Sequence, residues 1–398
     1  MLEMNAYNFN GKKALIRVDY NVPLNDRQQV TDDTRIRASL PTIKKVLADG
    51  GSVILMSHLG RPKGKAVAEM SMKPIAAKLE ELLDGQKVIL AKDSVGDDAA
   101  QKAKNLKPGE ILLLENLRFH NEEEAGDKAF AEKLSKLGDV YINDAYGTAH
   151  REHASTAVVA QYFPQSKMFG YLMDGEVKNI EKVLKESEKP FTAIVGGAKV
   201  SDKVGIIENL LEKADNILIG GAMAYTFIKA NGGEVGKSRT EEEKLGLAKE
   251  LLAKAKEKGV NIMLPEDSLC ANTFSNDAEV KTFESANIPL DEMGLDIGPK
   301  ARKAYKDVIL ASKTILWNGP MGVFEWSNYE NGTKEVAYSV AEATQKNGAY
   351  SLIGGGDSVA AINKFELNDQ VSYVSTGGGA MLESLEGKVL PGVSAILS

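Results

Sequence analysis

The chain has 398 residues, of which 43% are hydrophobic and 26% are charged, and its formal net charge is −7. These values are typical of a soluble globular protein of two or three domains and not of a protein that coats nucleic acid. No apolar run approaches the roughly 20 residues that span a bilayer, the N-terminal segment does not resemble a signal peptide, and the single cysteine, Cys270, forms no internal disulfide.

Short apolar runs, predicted as strands, alternate with amphipathic helices along the whole chain. The first strands are predicted in ALIRVDYN, SVILMSHLG, KVILAKD, ILLLENLR and DVYINDAYG, and later ones in TAIVGGAK, NILIGGAM, NIMLPEDS, TILWNGPMG, AYSLIGGGDS and VSYVSTGGGA. Strands that are apolar throughout indicate parallel sheets covered by helices on both faces. The fold class is therefore predicted to be α/β, with doubly wound parallel-sheet domains.

A domain boundary is predicted in the polar helix YLMDGEVKNIEKVLKESEKP. The predicted division is a first domain over residues 1–170, a linker helix over 171–189 and a second domain over 190–379. The remaining tail, residues 380–398, is too short to form a core and needs a surface on which to pack.

In the first half, polar and charged residues follow the predicted strands. They are Asp19 and Asn21, His58 and Arg61, Arg118 and His120, and the group His150, Arg151 and His153. In doubly wound folds, ligands bind at the carboxyl ends of the strands, and the planar fork of arginine suits phosphate or carboxylate. Together with Arg35 from a separate segment, these arginines predict a site for a small anionic substrate. His120 and His153 stay open between a substrate contact and a structural role.

In the second half, glycine follows the predicted strands. The residues are Gly196 and Gly197, Gly220 and Gly221, Gly319, Gly354 to Gly356, and Gly377 to Gly379. Glycine lets backbone N–H groups approach a phosphate chain, and a following helix adds its positive N-terminal end. Lys199 and Lys203 are predicted on one face of the helix that follows the first pair, and Asp357 is placed to hold Mg²⁺. This half predicts a mononucleotide site without a Walker motif.

A nucleotide site in one half and an anion site in the other predict phosphoryl transfer. A hydroxyl acceptor would require a catalytic aspartate to take its proton. The sequence shows no clear candidate for that base, so it favours an acceptor that is already a carboxylate. Positioning and cancellation of charge then suffice for catalysis.

The segment NGGEVGKS, residues 231–238, lacks the first glycine of a Walker A loop. MAYTFIKA before it reads as a helix capped by NGG, and a charged helix begins only past Thr240. The segment is therefore predicted to connect two helices with Lys237 exposed. A P-loop NTPase that uses Lys237, and a non-catalytic nucleotide-binding or scaffolding protein, stay open as alternatives.

Nine motifs, taken in order, closely resemble the phosphoglycerate kinase family. They are RVDYNVP, SHLGRP, ENLRFH, DAYGTAHREHAST, GGAKVSDK, GGAMAYTF, MGLDIGP, WNGPMGVFE and GGGDS. The resemblance implies reversible transfer between ATP and the carboxylate of 3-phosphoglycerate, giving ADP and 1,3-bisphosphoglycerate, with Mg²⁺. It further implies a cytoplasmic monomer of two Rossmann-like lobes, a hinge in the linker helix, and a C-terminal tail that returns to the first lobe.

The resemblance also implies roles for individual residues. The phosphoglycerate would contact Asp19, Asn21, Arg35, His58, Arg61, Arg118 and Arg151. The nucleotide would contact Gly197, Lys199, Lys203, Gly294, Glu325, Gly355, Gly356, Asp357 and Ser358. Arg35 and Lys199 would stabilise the transferred group, and Asp357 would serve the metal. The sequence departs from the family at Tyr20, where Phe is usual, and at Ser358, where Thr is frequent.

Overall fold

The computed structural model describes residues 1–398, which form two compact units. Unit 1 comprises Met1–Lys178 and Val389–Ser398, and unit 2 comprises Asn179–Lys388. The predicted linker helix is α6 (Tyr171–Leu184), and the division between the units falls within it. The tail belongs to unit 1 from Val389 onward, while the predicted domain boundaries and the hinge stay predictions.

Unit 1 is built on a six-stranded parallel sheet of order β3-β4-β2-β1-β5-β6. Its strands are β1 (Lys13–Arg17), β2 (Ser52–Met56), β3 (Val88–Leu90), β4 (Ile111–Leu113), β5 (Val140–Asn143) and β6 (Lys167–Phe169). Besides part of α6, its helices are α1 (Thr34–Ala48), α2 (Lys73–Leu82), α3 (Asp97–Asn105), α4 (Asn121–Glu124), α5 (Lys128–Ser135) and α14 (Pro391–Leu397). Every residue of β2 is buried, because helices cover both faces of this sheet.

Unit 2 has a second six-stranded parallel sheet, of order β10-β8-β7-β15-β16-β17. These strands are β7 (Phe191–Val195), β8 (Asn216–Ile219), β10 (Asn261–Met263), β15 (Thr314–Asn318), β16 (Tyr350–Ile353) and β17 (Tyr373–Val374). The helices are α7 (Val204–Leu211), α8 (Met223–Ala230), α9 (Leu245–Lys258), α10 (Pro299–Leu310), α11 (Asn331–Asn347), α12 (Gly356–Lys364) and α13 (Gly379–Leu385). The predicted α/β fold with parallel sheets is confirmed.

Unit 2 also contains strands that the sequence patterns did not predict. A three-stranded antiparallel sheet joins β12 (Lys281–Glu284), β11 (Asp267–Ala271) and β14 (Met293–Ile297), and a short parallel pair joins β9 (Glu234–Val235) and β13 (Asn287–Ile288). Only one residue of β12 is even partly buried. Such a strand lacks the continuous apolar run by which the other strands were predicted.

The C-terminal tail packs on unit 1 near β5 and β6. The Gly392 N–H donates to the Ala149 carbonyl at 2.8 Å, and Lys167 Nζ donates to the Ala395 carbonyl at 2.8 Å. Leu390 and Ile396 are each only 3% exposed. None of the helices has both the length and the apolar character that crossing a membrane requires.

Candidate functional site

Polar groups at the carboxyl ends of the unit 1 strands form one hydrogen-bonded network. Arg35 lies 3.3 Å from the Asp19 carboxylate and donates to the Asn21 carbonyl at 2.8 Å. The Asn21 side-chain oxygen accepts the Gly60 N–H at 2.9 Å, and the Gly60 carbonyl accepts from Arg118 at 3.1 Å. The loops after three different strands are thus held together at one edge of the sheet.

Arg17 is fully buried beside this network, and no carboxylate pairs with it. Its Nε donates to Ser155 Oγ at 2.7 Å, one terminal nitrogen donates to the Val18 carbonyl, and the other lies 3.2 Å from His58 Nδ1. Because a guanidinium can only donate, His58 Nδ1 must accept, and the proton of the neutral imidazole lies on Nε2. His58 can therefore donate a hydrogen bond to an anion. A charged residue inside an apolar strand was the sequence signal for Arg17, and the prediction missed it.

The cations of this edge disfavour further positive charge. Burial, and then the charges of Arg17 and Arg118, lower the pKa of His58 well below its ordinary value. For the same reasons, with an added contribution from Arg151, the pKa of His153 is lowered to about 4. Arg61 and Arg151 have no carboxylate partner. The edge is electropositive, and a ligand with several negative charges would neutralise it.

The two histidines left open by the sequence differ in position. His120 Nε2 lies 2.6 Å from Asp93 Oδ1, and its ring contacts Phe130, so His120 has a structural partner outside the arginine network. His153 is buried among the arginines. Residues only two positions apart, such as Arg118 and His120, thus have different surroundings.

In unit 2, four neighbouring strands (β8, β7, β15 and β16) are each followed by glycine. Gly197, Gly221 and Gly319 have φ angles of +133°, +72° and +104°, which other residues rarely adopt. A β-carbon at Gly319 would collide with the Gly196 carbonyl, and one at Gly221 would collide with the backbone of Gly197. The turns pack backbone against backbone, and the N–H groups of Gly196, Gly221 and Gly319 already donate within the protein, to the carbonyls of Asn318 and Met321 and to Ser358 Oγ.

The prediction that Lys199 and Lys203 share a helix face is wrong, because α7 begins only at Val204. The Lys203 N–H donates to the Val200 carbonyl at 2.9 Å, which closes a turn before the helix. The Glu241 carboxylate accepts the Ser201 N–H at 3.1 Å and its hydroxyl at 2.5 Å, which holds this turn in place. Both lysines therefore lie in the turn after β7.

Asn318, at the end of β15, connects Lys203 to the glycine turns. Its side-chain oxygen accepts from Lys203 Nζ, and its amide nitrogen donates to the Gly354 carbonyl at 2.8 Å. Burial lowers the pKa of Lys203. Ser358 Oγ accepts the Gly319 N–H at 2.6 Å. Asn318 is a polar residue at a strand end, the same signal used for unit 1, and the prediction missed it.

A pocket of about 490 Å³ opens beside these turns, within the size range of small-molecule sites. Of the residues predicted to contact the nucleotide, those that line it are Gly197, Gly294, Glu325 and Asp357. Its apolar wall is formed by Phe274, Met293, Leu295 and Val323. Phe274 is 63% exposed, and its ring lies 4.5 Å from that of Trp326. The pocket thus offers an apolar wall and a phosphate-compatible turn in one cavity.

The NGGEVGKS segment connects α8 to α9 with Lys237 exposed, as predicted, and no helix begins at Ser238. The segment also contains β9, and Lys237 and Arg239, the residue that follows the segment, line the same pocket, which the sequence patterns did not predict. Lys237 Nζ donates to the Asn272 carbonyl at 3.0 Å. The near-match to a phosphate loop therefore borders the candidate nucleotide site without the geometry of a Walker A loop.

Cys270 is buried in β11, where it pairs with Gly294 of the pocket lining. Burial, and then the charge of Glu292, raise the pKa of its thiol to about 12. A buried thiol with a raised pKa stays protonated at neutral pH and is a poor nucleophile.

The chain is similar to known proteins both in sequence and in structure. The family model described as phosphoglycerate kinase matches residues 4–388. Phosphoglycerate kinase from Porphyromonas gingivalis is 54% identical over 99% of this chain and 100% of its own length, and that from Chlorobium chlorochromatii is 52% identical over 97% and 96%. The solved structure of phosphoglycerate kinase from Coxiella burnetii is 40% identical, with a TM-score of 0.92 over 100% of this chain and 98% of that chain. The corresponding structure from Pyrococcus horikoshii is 32% identical, with a TM-score of 0.79 and the same coverage.

Proposed function

The chain belongs to the phosphoglycerate kinase family and is an enzyme that transfers a phosphoryl group between ATP and 3-phosphoglycerate; we propose that the arginine network of unit 1 binds the phosphoglycerate and that the glycine turns of unit 2 bind the nucleotide. The observation that carries this assignment is the contrast between the two sheets. One has cations at its strand ends, and the other has glycine beside a pocket.

In unit 1, Arg61 and Arg151 have no carboxylate partner and therefore suit the phosphate of the substrate. Arg35, Asp19 and Asn21 form the hydrogen-bonded part of the network. The Nε2–H of neutral His58 is free to donate to a substrate oxygen. Arg118, half-buried and linked to Gly60, completes the proposed site.

In unit 2, we assign Lys199 and Lys203 to the phosphates and Glu325 to the ribose hydroxyls, as the family resemblance implies. Gly197 and Gly294 border the pocket, Gly356 and Ser358 lie in the first turn of α12, and Gly355 belongs to the turn after β16. That turn leads into α12, whose N-terminal N–H groups suit a phosphate.

The Asp357 carboxylate fits a magnesium ion. It is exposed in the first turn of α12, lines the pocket and makes no hydrogen bond or ion pair. Mg²⁺ commonly binds through one or two carboxylates together with nucleotide phosphates, keeping several waters. When bound there, the ion would neutralise phosphate charge.

The proposed chemistry needs no general base, because a carboxylate acceptor carries no proton to be removed. Arg35 and Lys199 would stabilise the charge on the transferred phosphoryl group. Neutral His58 would orient the substrate without taking its proton. The site residues therefore act by positioning and by charge.

A coupled assay with ATP, Mg²⁺ and 3-phosphoglycerate tests the activity, and Arg35→Ala tests the site. We expect the variant to lose about two to three orders of magnitude in turnover, the scale of one lost charge-stabilising group, while nucleotide affinity stays near that of the wild type. Turnover equal to the wild type would contradict the role of Arg35. Absence of turnover in the wild type would favour a non-catalytic nucleotide-binding protein.

The family resemblance also supports a cytoplasmic monomer that binds no nucleic acid. Light scattering of the purified chain tests the oligomeric state, and a particle with the mass of two chains would contradict the monomer.

A further inference from the structure

We propose that Arg239 binds the phosphate chain of the nucleotide in unit 2. This inference deepens the proposed function and rests on it. It concerns a residue that neither the strand-end pattern nor the family resemblance assigned to the site.

The side chains of Ser238 and Glu241, which flank Arg239 in the chain, are held by hydrogen bonds. On one side, Ser238 Oγ accepts the Gly294 N–H at 2.9 Å, next to the apolar wall. On the other side, the Glu241 carboxylate accepts the Ser201 N–H and hydroxyl, in the turn that carries the two lysines. Arg239 therefore lies between the apolar wall and the turn after β7, and it is one of the residues that line the pocket.

The guanidinium of Arg239 makes no hydrogen bond and no ion pair. Elsewhere in the chain, Arg37 lies 2.9 Å from Asp33, and Arg302 lies 3.4 Å from Glu335. Three carboxylates line the same pocket as Arg239, those of Asp296, Glu325 and Asp357, and none of them pairs with it. Arg239 is therefore not the counter-ion of a carboxylate in this pocket, and its donors are available to a ligand.

The chemistry of the pocket favours phosphate over the base as the partner of Arg239. The apolar wall that includes Phe274 and Met293 suits a flat purine. Lys237, the lysine that lines the pocket, already donates to the Asn272 carbonyl. A guanidinium forms paired hydrogen bonds with phosphate oxygens, which are stronger than those to neutral groups. Arg239 would approach the phosphate chain from a segment separate from the turn after β7.

Isothermal titration of the full chain with adenosine and with ADP tests this inference. We expect Arg239→Gln to weaken ADP binding by about 10- to 100-fold, the range for a lost hydrogen bond to a charged group, and to leave adenosine binding unchanged. Arg239→Lys should lose less, because it keeps the charge without the fork. Lys249→Gln is the matched control, since Lys249 is exposed on α9 and makes no ion pair.

Three other outcomes would contradict either this inference or the proposed nucleotide site. ADP binding equal to the wild type in Arg239→Gln would overturn the inference. An equal loss of affinity for adenosine and ADP would also overturn it, because the contact would then not be to phosphate. A wild type that binds neither ligand would contradict the proposed nucleotide site itself.

Discussion

At the scale of single residues, the environment of His58 and His153 sets their protonation. Both are buried among arginines that disfavour a second positive charge. In isolation, a histidine titrates near pH 6.5, but here the imidazoles stay neutral below that value. Neutral histidine suits the proposed mechanism, in which hydrogen bonds and the charge of arginine act on the substrate and no histidine transfers a proton.

This environment predicts a loss of stability in acid. Above about pH 6.5, His153 is neutral in both the folded and the unfolded chain. As the pH falls from there toward about 4, the unfolded chain takes up a proton that the folded chain refuses, so the free energy of unfolding decreases. Urea titrations of the wild type and of His153→Gln between pH 7.5 and 4.5 measure the free energy of unfolding. It should decrease less in the variant than in the wild type as the pH falls. Equal decreases in the two proteins would contradict it.

At the scale of elements, the glycine turns of unit 2 are packing features as well as candidate phosphate sites. The ends of neighbouring strands approach so closely that backbone atoms occupy the space of a β-carbon. Both the positive φ angles of these turns and the close packing around them thus require glycine. By contrast, Gly348, which ends α11 with φ of +68°, has open space around it.

These two classes of glycine predict different costs of substitution. Gly348→Ala should lower the free energy of unfolding by about 1 kcal/mol, because the only cost is that of a left-handed backbone conformation for a residue with a β-carbon. Gly319→Ala adds a collision with the Gly196 carbonyl and should cost at least about 2 kcal/mol more. Chemical denaturation of the two variants provides the comparison. Similar costs would show that the turn relaxes freely around a β-carbon.

At the scale of the whole molecule, charge is distributed unevenly along an acidic chain. The net charge is −7, yet unpaired arginines gather at one edge of the unit 1 sheet. This arrangement attracts a small anion without making the protein as a whole cationic. The chain also crosses between units twice, since its last ten residues return to unit 1.

Removal of residues 389–398 should therefore destabilise unit 1. Leu390 and Ile396 lose their burial, and at about 2 kcal/mol or more for each side chain the loss should reach roughly 4 kcal/mol. Hydrogen exchange should show lower protection of amides in β5 and β6. Leu397→Ala is the control, because Leu397 is 57% exposed. Unchanged protection of β5 and β6 in the truncated chain would contradict this role of the tail.

Local sequence patterns predicted much of the fold, and each element that they did not predict correctly has a physical reason. The parallel strands were predictable because burial on both faces demands an apolar residue at nearly every position. The antiparallel strand β12 was not, since it is largely exposed and carries no such pattern. The prediction that Lys199 and Lys203 share a helix face failed because Glu241, 40 residues from Ser201 in the chain, holds the turn before α7.

The sequence by itself determined the α/β class, the cationic and glycine-rich strand ends, and the family, because these depend on residue types in local order. The tertiary structure decided which of those residues meet. It separated His120 from the arginines of unit 1, buried Arg17 and His153 beside them, and brought Lys237 and Arg239 to the candidate nucleotide pocket. These facts depend on contacts between distant segments, which the spacing of residues along a chain does not encode.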